Sequence, residues 1–300
     1  MVLLKQMVVL ALVMLIGFFL AKKDVLDKST SKKLSWIVVN VCNPALMINA
    51  ALSKDRLEES VLLKTVIIAA VFYAFLLIFG AFLPGILRDK GNRVYSLMIV
   101  FGNVGFMGYP LLQAMYGSTA VLLASIFNLF YGILMYTYGV MVISGQKLSP
   151  KNLKMLLNSG IIAGILELII YLNNISFPSF LGDTIEMVSG LTAPLSMMVI
   201  GATFVDLSLK KLVKDVRIML FTLIRMIILP LLMFPVFNYF IDDEVLLGVC
   251  LVMAAVPVGS MNVMMAQQYG GDVETSSKGV AITTVLSVIT MPLLFLILMK

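Results

Sequence analysis

FGNVGFMGYPLLQAMYG, residues 101–117, breaks an apolar stretch otherwise long enough for a membrane helix. Gly102, Gly105, Gly108 and Pro110 all work against a continuous helix, glycine costing about 1 kcal/mol relative to alanine and proline about 3. A bilayer tolerates backbone freed in this way only where it is buried in protein or lines a cavity. Late in the chain, MAAVPVGSMNVMMAQQYGG at 253–271 is interrupted in the same manner.

The surrounding composition fixes the class. Of 300 residues, 61% are hydrophobic and 13% charged, against roughly 45–50% apolar in a soluble domain. Mean hydropathy is +1.05. The net charge of +6 comes from Lys and Arg in short loops between apolar runs, which fits topogenic signals on a lipid-embedded chain and not a nucleic-acid footprint. Histidine is absent, and Cys42 and Cys250 lie in apolar stretches without ligand-type neighbours, so neither a metal site nor a cofactor is expected. The N-terminal run ends in Lys22-Lys23 without a small-x-small cleavage pattern and reads as an uncleaved first span.

Apolar runs of about 20 residues fall near 2–21, 34–52, 61–86, 94–116 (broken), 119–143, 155–173, 184–206, 216–240, 244–269 (broken) and 276–299. Alternate loops collect Lys22, Lys23, Lys28, Lys32, Lys33, Arg88, Lys90, Arg93, Lys147, Lys151, Lys154, Lys210, Lys211, Lys214, Arg217 and Lys278. The opposite face holds only Lys5, Lys54, Arg56, Lys64 and Lys300, which puts both termini outside. Ten spans split into two sets of five, and an odd number per set inverts the second. Asn43-Pro44 in span 2 matches Ala193-Pro194 in span 7, and Tyr116-Gly117 matches Tyr269-Gly270 at nearly the same offset. The expected fold is therefore an all-α membrane protein of ten transmembrane helices in two inverted five-helix repeats. The first repeat is 1–143, a short connector 144–153, and the second repeat 154–300.

Paired broken helices, one in each half, are the sequence mark of a secondary-transporter binding site. Pro110 is placed to open one new half-helix, and Pro257 with Gly259 to open the other, each offering unpaired N–H groups to an anion; the alternative is an ordinary kinked helix. Asn103 and Asn262 flank the breaks and can serve either free backbone or a substrate carboxylate, with Gln113, Gln267 and Gln268 on the half-helices beyond. Arg225 is the one basic residue deep in a span and needs a partner: Glu167, a helix C-terminus or an anionic substrate. Glu167, the one carboxylate well within a span, is an ion-pair or proton-carrying candidate. Neither break contains Asp or Glu. The Met253, Met261, Met264 and Met265 cluster reads as flexible apolar lining, and Gly160-x-x-x-Gly164 as a close-packing motif.

Asn103-Val-Gly-Phe-Met-Gly108-Tyr-Pro110 followed by Met115-Tyr116-Gly117, Ala255-Val-Pro257 through Gln268-Tyr269, and Arg225 with Pro230 together resemble the auxin efflux carrier family in its short bacterial form. That resemblance implies scaffold and transport domains, helices 4 and 9 crossing at their breaks, and elevator-type movement of a bound organic anion in a bacterial plasma membrane. It implies Asn103 at the substrate carboxylate and the crossover marked by Pro110 and Pro257; with the residues read above, the candidate substrate-binding set is Asn103, Gly105, Pro110, Pro257, Gly259, Asn262 and Arg225. The long central loop of the plant carriers is absent, and Asn158-Ser159 stands where the family often has Asn-Pro. Auxin itself is therefore not implied, and the expected class is a mono- or dicarboxylate, malate- or malonate-like or auxin-like. The expected partners are a small organic anion, the lipid bilayer and a second copy in a homodimer. Competing readings on the same fold are a sodium-coupled symporter of bile-acid-carrier type, which the lack of carboxylates at the breaks disfavours, and a non-transporting receptor. An intramembrane protease would need facing aspartates or a Ser–His dyad, and the sequence supplies neither.

Overall fold

The computed structural model describes residues 2–53, 57–89, 92–147, 154–205 and 214–299. Lys54, Arg56, Lys90, Lys151, Lys210, Lys211, Lys300 and much of the 144–153 connector lie outside the described residues. Described secondary structure is helical, with one isolated antiparallel bridge between Gly102 and Val258. Among the described residues, seven helical stretches are long and apolar enough to cross a membrane: Lys5–Lys22, Lys28–Ala51, Glu59–Ile86, Ser118–Ser144, Ser179–Thr203, Val216–Phe240 and Val273–Leu298. Ser159–Leu172 and Glu244–Ala255 are shorter apolar helices, and Val94–Val100 and Tyr109–Tyr116 belong to the interrupted stretch.

Short polar side chains start many of these helices, each satisfying N–H groups that have no partner within the helix. Asp27 accepts from Thr30 N, Asn158 from Gly160 N and Ile161 N, Asp215 from Ile218 N, Asp243 from Leu246 N and Asp272 from Thr275 N. The half-helices Tyr109–Tyr116 and Met261–Tyr269 both stop at a Tyr-Gly pair. Gly117 (φ 73°) and Gly270 (φ 77°) there take positive φ values that side-chain-bearing residues rarely adopt, Gly270 alone in the left-handed helical region.

Prolines in the spans act differently from the expectation for Pro110. A proline lacks an N–H and its ring crowds the carbonyl four residues earlier. Val38–Cys42, Val104–Gly108 and Ile224–Ile228 are widened π turns, and Pro44, Pro110 and Pro230 follow two residues after each, so the crowded carbonyls of Asn40, Phe106 and Met226 fall at the turn centres. The helix runs on through Tyr109 and Pro110; Gly108 is itself helical (φ −61°, ψ −59°). Pro110 is accommodated by a widened turn and does not open the half-helix.

The chain forms two compact units, each drawing on both halves of the sequence. The first comprises Met1–Thr65, Val104–Leu129 and Asn158–Asp206; the second comprises Val66–Asn103, Phe130–Leu157 and Leu207–Lys300. In the first, the N-terminal helix and Thr192–Thr203 meet backbone to backbone. A Cβ on Gly17 would lie 2.1 Å from the Met198 carbonyl oxygen, and one on Gly201 1.8 Å from that of Met14. Where lipid removes the hydrophobic drive between helices, small residues permitting such approach supply the packing. Gly164 plays the same part against Leu129 and Met47. Outward faces are apolar: Leu12, Ile16 and Phe19 in the first unit and Ile78, Phe82 and Ile297 in the second are exposed, a pattern suited to acyl chains and not to water.

Within the second unit, several connections read from charge as sharing one side do share one end. Arg217 pairs with Asp89 at 3.4 Å and Lys278 with Asp215 at 3.4 Å. Asn92 Nδ2 donates to Asp272 at 2.8 Å, and Arg93 reaches the Val142 carbonyl at 3.3 Å.

Candidate functional site

The two interruptions meet in the second unit. Helix Val94–Val100 ends at Phe101 (φ −103°, ψ 88°), and helix Glu244–Ala255 ends at Val256 (φ −58°, ψ 143°), so both chains leave their helices extended. They run antiparallel through the Gly102–Val258 bridge: Asn103 N donates to Pro257 O at 2.7 Å and Gly259 N to Phe101 O at 3.0 Å. Pro257 therefore lies in the extended segment, and the second half-helix begins at Met261, after Ser260. The expected helix opening at Pro257 and Gly259 is displaced because both residues belong to the bridge.

Several of the polar backbone groups freed at this crossing can be followed to a partner, as burial demands. Asn262 Nδ2 donates to both Phe101 O and Gly259 O at 2.8 Å. Val258 N donates to Thr283 Oγ1 at 3.1 Å, whose own hydroxyl donates to Gly279 O at 2.7 Å. Of the two roles open to Asn262, the amide nitrogen serves the backbone. Its Oδ1 is buried with no hydrogen-bond partner among the described residues.

Arg225 is 1% exposed, in the widened turn before Pro230. Its Nη1 donates to the Ala254 carbonyl at 2.5 Å, in the last turn of Glu244–Ala255, so a helix C-terminus is the partner formed. That end carries the partial negative charge of the helix dipole. Nε has no hydrogen-bond partner, and no carboxylate pairs with the guanidinium among the described residues of its own unit. Gly102 is the space Arg225 occupies: a Cβ there would lie 2.7 Å from Nη2 and 2.7 Å from Val256 Cγ2. Gly259 is equally constrained, its Cβ falling 2.8 Å from Gly102 O. Phe101 is held by an edge-on contact with Tyr131, ring centres 5.3 Å apart.

Asn103, Pro257, Gly259, Asn262 and Arg225 are thus brought together in one unit. The remaining expected residues lie in the first unit: Gly105 and Pro110 in the Val104–Tyr116 stretch, and Glu167 in Ser159–Leu172. Gly105 O accepts from Asn43 Nδ2 at 3.1 Å, a bond that ties the span 2 helix start to the widened turn. Glu167 is fully buried next to Ser125, whose hydroxyl donates to Leu122 O at 2.7 Å, and among the described residues neither carboxylate oxygen receives a hydrogen bond of good geometry. Thr283 and Asn43 were not singled out as site residues. Thr283 sits in an apolar helix with nothing local to mark it, whereas Asn43 is signalled by a polar amide directly before a proline inside a span.

The chain matches the membrane transport protein family over residues 2–155 and 151–295. It is similar to an uncharacterized transporter of Methanocaldococcus jannaschii, 28% identical over 303 residues and covering 96% of each chain. A second uncharacterized transporter, from Methanothermobacter thermautotrophicus, is 25% identical over 293 residues, covering 95% of this chain and 94% of that one. With both halves of the sequence matched, the chain belongs to the membrane transport protein family.

Proposed function

We propose that this protein is a secondary transporter for a small organic anion, most simply a mono- or dicarboxylate, with the Phe101–Asn103 and Val256–Asn262 crossing as its binding element. One observation carries the reading: the buried Arg225 guanidinium lies against the crossing with a backbone carbonyl as its partner and, among the described residues of its own unit, no carboxylate to neutralise it. An uncompensated cation at membrane depth costs several kcal/mol, and a bound anion offsets that cost. The polar crossing offers the hydrogen bonding that orients such a ligand, with Asn103 as the amide directed to its carboxylate. The ten-span inverted repeat fits the same reading. It is supported by the matched Asn43-Pro44 and Ala193-Pro194 positions and by half-helices that both end at Tyr-Gly with a glycine of positive φ. The two compact units correspond to the scaffold and transport domains of an elevator mechanism.

The test is ligand-dependent thermal stabilisation of purified protein across mono- and dicarboxylates, with and without sodium, followed by uptake into proteoliposomes. Asn103→Ala is expected to weaken binding about tenfold, the loss of one hydrogen bond to a charged partner, while Asn128→Ala, in span 5 and outside both interruptions of the sequence, should matter less. Equal affinity of well-folded wild type and Asn103→Ala for a transported acid overturns this role for the amide. Stabilisation without flux identifies a receptor, and strict sodium dependence identifies a symporter.

A further inference from the structure

A groove of about 730 Å³ opens on the second unit between the C-terminal turns of Glu59–Ile86 and the helices of Val94–Val100 and Met135–Ser144. Ala81, Phe82, Pro84, Gly85, Met141 and Val142 make its apolar wall, and Arg93, Ser96 and Tyr138 supply its polar part. Ser96 is already committed, its hydroxyl donating to Gly80 O at 2.7 Å. Arg93 is exposed and spends Nη1 on Val142 O at 3.3 Å, leaving the rest of its fork available. Arg88 and Lys147, exposed in the adjoining connections, add positive charge at the same end.

The groove belongs to no part of the crossing described above. Its position along the helix identifies the occupant. Glu59–Ile86 has 28 residues and spans about 42 Å, longer than a hydrocarbon core of about 30 Å. Its last turns therefore reach the interface, where a phospholipid changes from acyl chain to charged head. The apolar wall is continuous with the exposed, acyl-facing side chains of Ile78 (64%) and Phe82 (66%). At the other edge stands a guanidinium, whose planar fork suits a phosphate. A neutral apolar occupant would leave Arg93 unused, and a soluble anion would leave the wall unused.

We propose that this groove is a binding site for an anionic phospholipid, with Arg93 on the head-group phosphate and one acyl chain along Phe82, Gly85 and Met141. Gly85 offers a clean handle, since a Cβ there meets nothing within 4 Å. Gly85→Leu starts from a Cβ with open space around it, is expected to occupy the groove, and replaces a helical glycine by a better helix former.

The experiment is native mass spectrometry of the purified full-length protein with phosphatidylglycerol or phosphatidylcholine of identical chains. Wild type is expected to retain phosphatidylglycerol about fivefold better, the equivalent of ~1 kcal/mol for one basic residue at a membrane surface. Arg93→Gln should abolish that preference, and Gly85→Leu should lower retention of both lipids while keeping the melting temperature. Equal retention of the two lipids by wild type overturns the proposal, as does undiminished retention in Gly85→Leu. Displacement of phosphatidylglycerol by inorganic phosphate alone would show a free-anion site, and a change of oligomeric state in Gly85→Leu with lipid retention intact would show a second copy in the groove; either result also overturns it.

Discussion

At the scale of single residues, Gly102 and Arg225 are one feature. The glycine exists so that the guanidinium and Val256 can fill the space a side chain would take. Gly102→Ala is expected to lower stability by about 1–3 kcal/mol, the usual cost of overpacking, and to weaken anion binding by shifting Arg225. Gly182→Ala, where a Cβ meets nothing within 4 Å, should be neutral or slightly stabilising in the same melting assay, because helix propensity alone changes. Sequence alone identified Gly102 as a helix breaker and Arg225 as a buried cation in need of a partner. It could not join them: they lie on different spans, and the choice among Glu167, a helix end and a ligand depends on distances that no local pattern encodes. Asn262 shows the same limit, since a short amide beside a break suits backbone and ligand equally until its neighbours are placed.

At the scale of elements, the positions of the helices were largely legible, because apolar length and charged punctuation are local. Val216–Phe240 falls on the expected range, and Glu59–Ile86 and Ser118–Ser144 differ from it only at their ends. The interiors were less legible. A proline in a sequence announces a lost hydrogen bond, yet Pro110 is absorbed by a π turn while the true break sits at Phe101–Asn103, where the antiparallel bridge repays the freed backbone groups. Asn43→Ala removes the donor to Gly105 O and should destabilise by about 1–3 kcal/mol if that carbonyl is left unsatisfied; Asn43→Gln, with the same chemistry on a longer stem, should recover little of it. At the start of Val273–Leu298, partial burial would raise the Asp272 carboxyl, but hydrogen bonds from Thr275 and Asn92 outweigh it and hold the group below its ordinary range. A depressed folded-state value means that this stabilisation is complete above the unfolded carboxyl range, about pH 4, and is lost as pH falls through the folded value. Melting temperature followed from pH 7 to pH 3 should therefore drop less steeply in Asp272→Asn than in wild type.

For the whole molecule, charge distribution and structure agree that the loops around Asp89, Asp215 and Asp272 share one end of the second unit. If that end is cytoplasmic, a cysteine introduced at Lys147 should resist a membrane-impermeant reagent in intact cells, and one at Asp243 should react. Native Cys42 and Cys250 are buried and give little background. The reverse labelling pattern would invert the orientation and place both termini inside. The division into units was not legible from the halves of the chain, because each unit gathers segments from both. The contact of Gly17 with Met198 and of Gly201 with Met14 shows what this interleaving means for biogenesis. The first helix leaves the ribosome long before its partner exists: about 190 residues separate Met14 from Gly201, on the order of 10–40 s of synthesis at 5–20 residues per second. Throughout that interval the notch at Gly17 faces lipid or the insertion machinery, unfilled. A nascent chain stopped before Thr192 would hold a first helix with no seat, and its clearance by membrane proteases should be governed by whether synthesis reaches the seventh span.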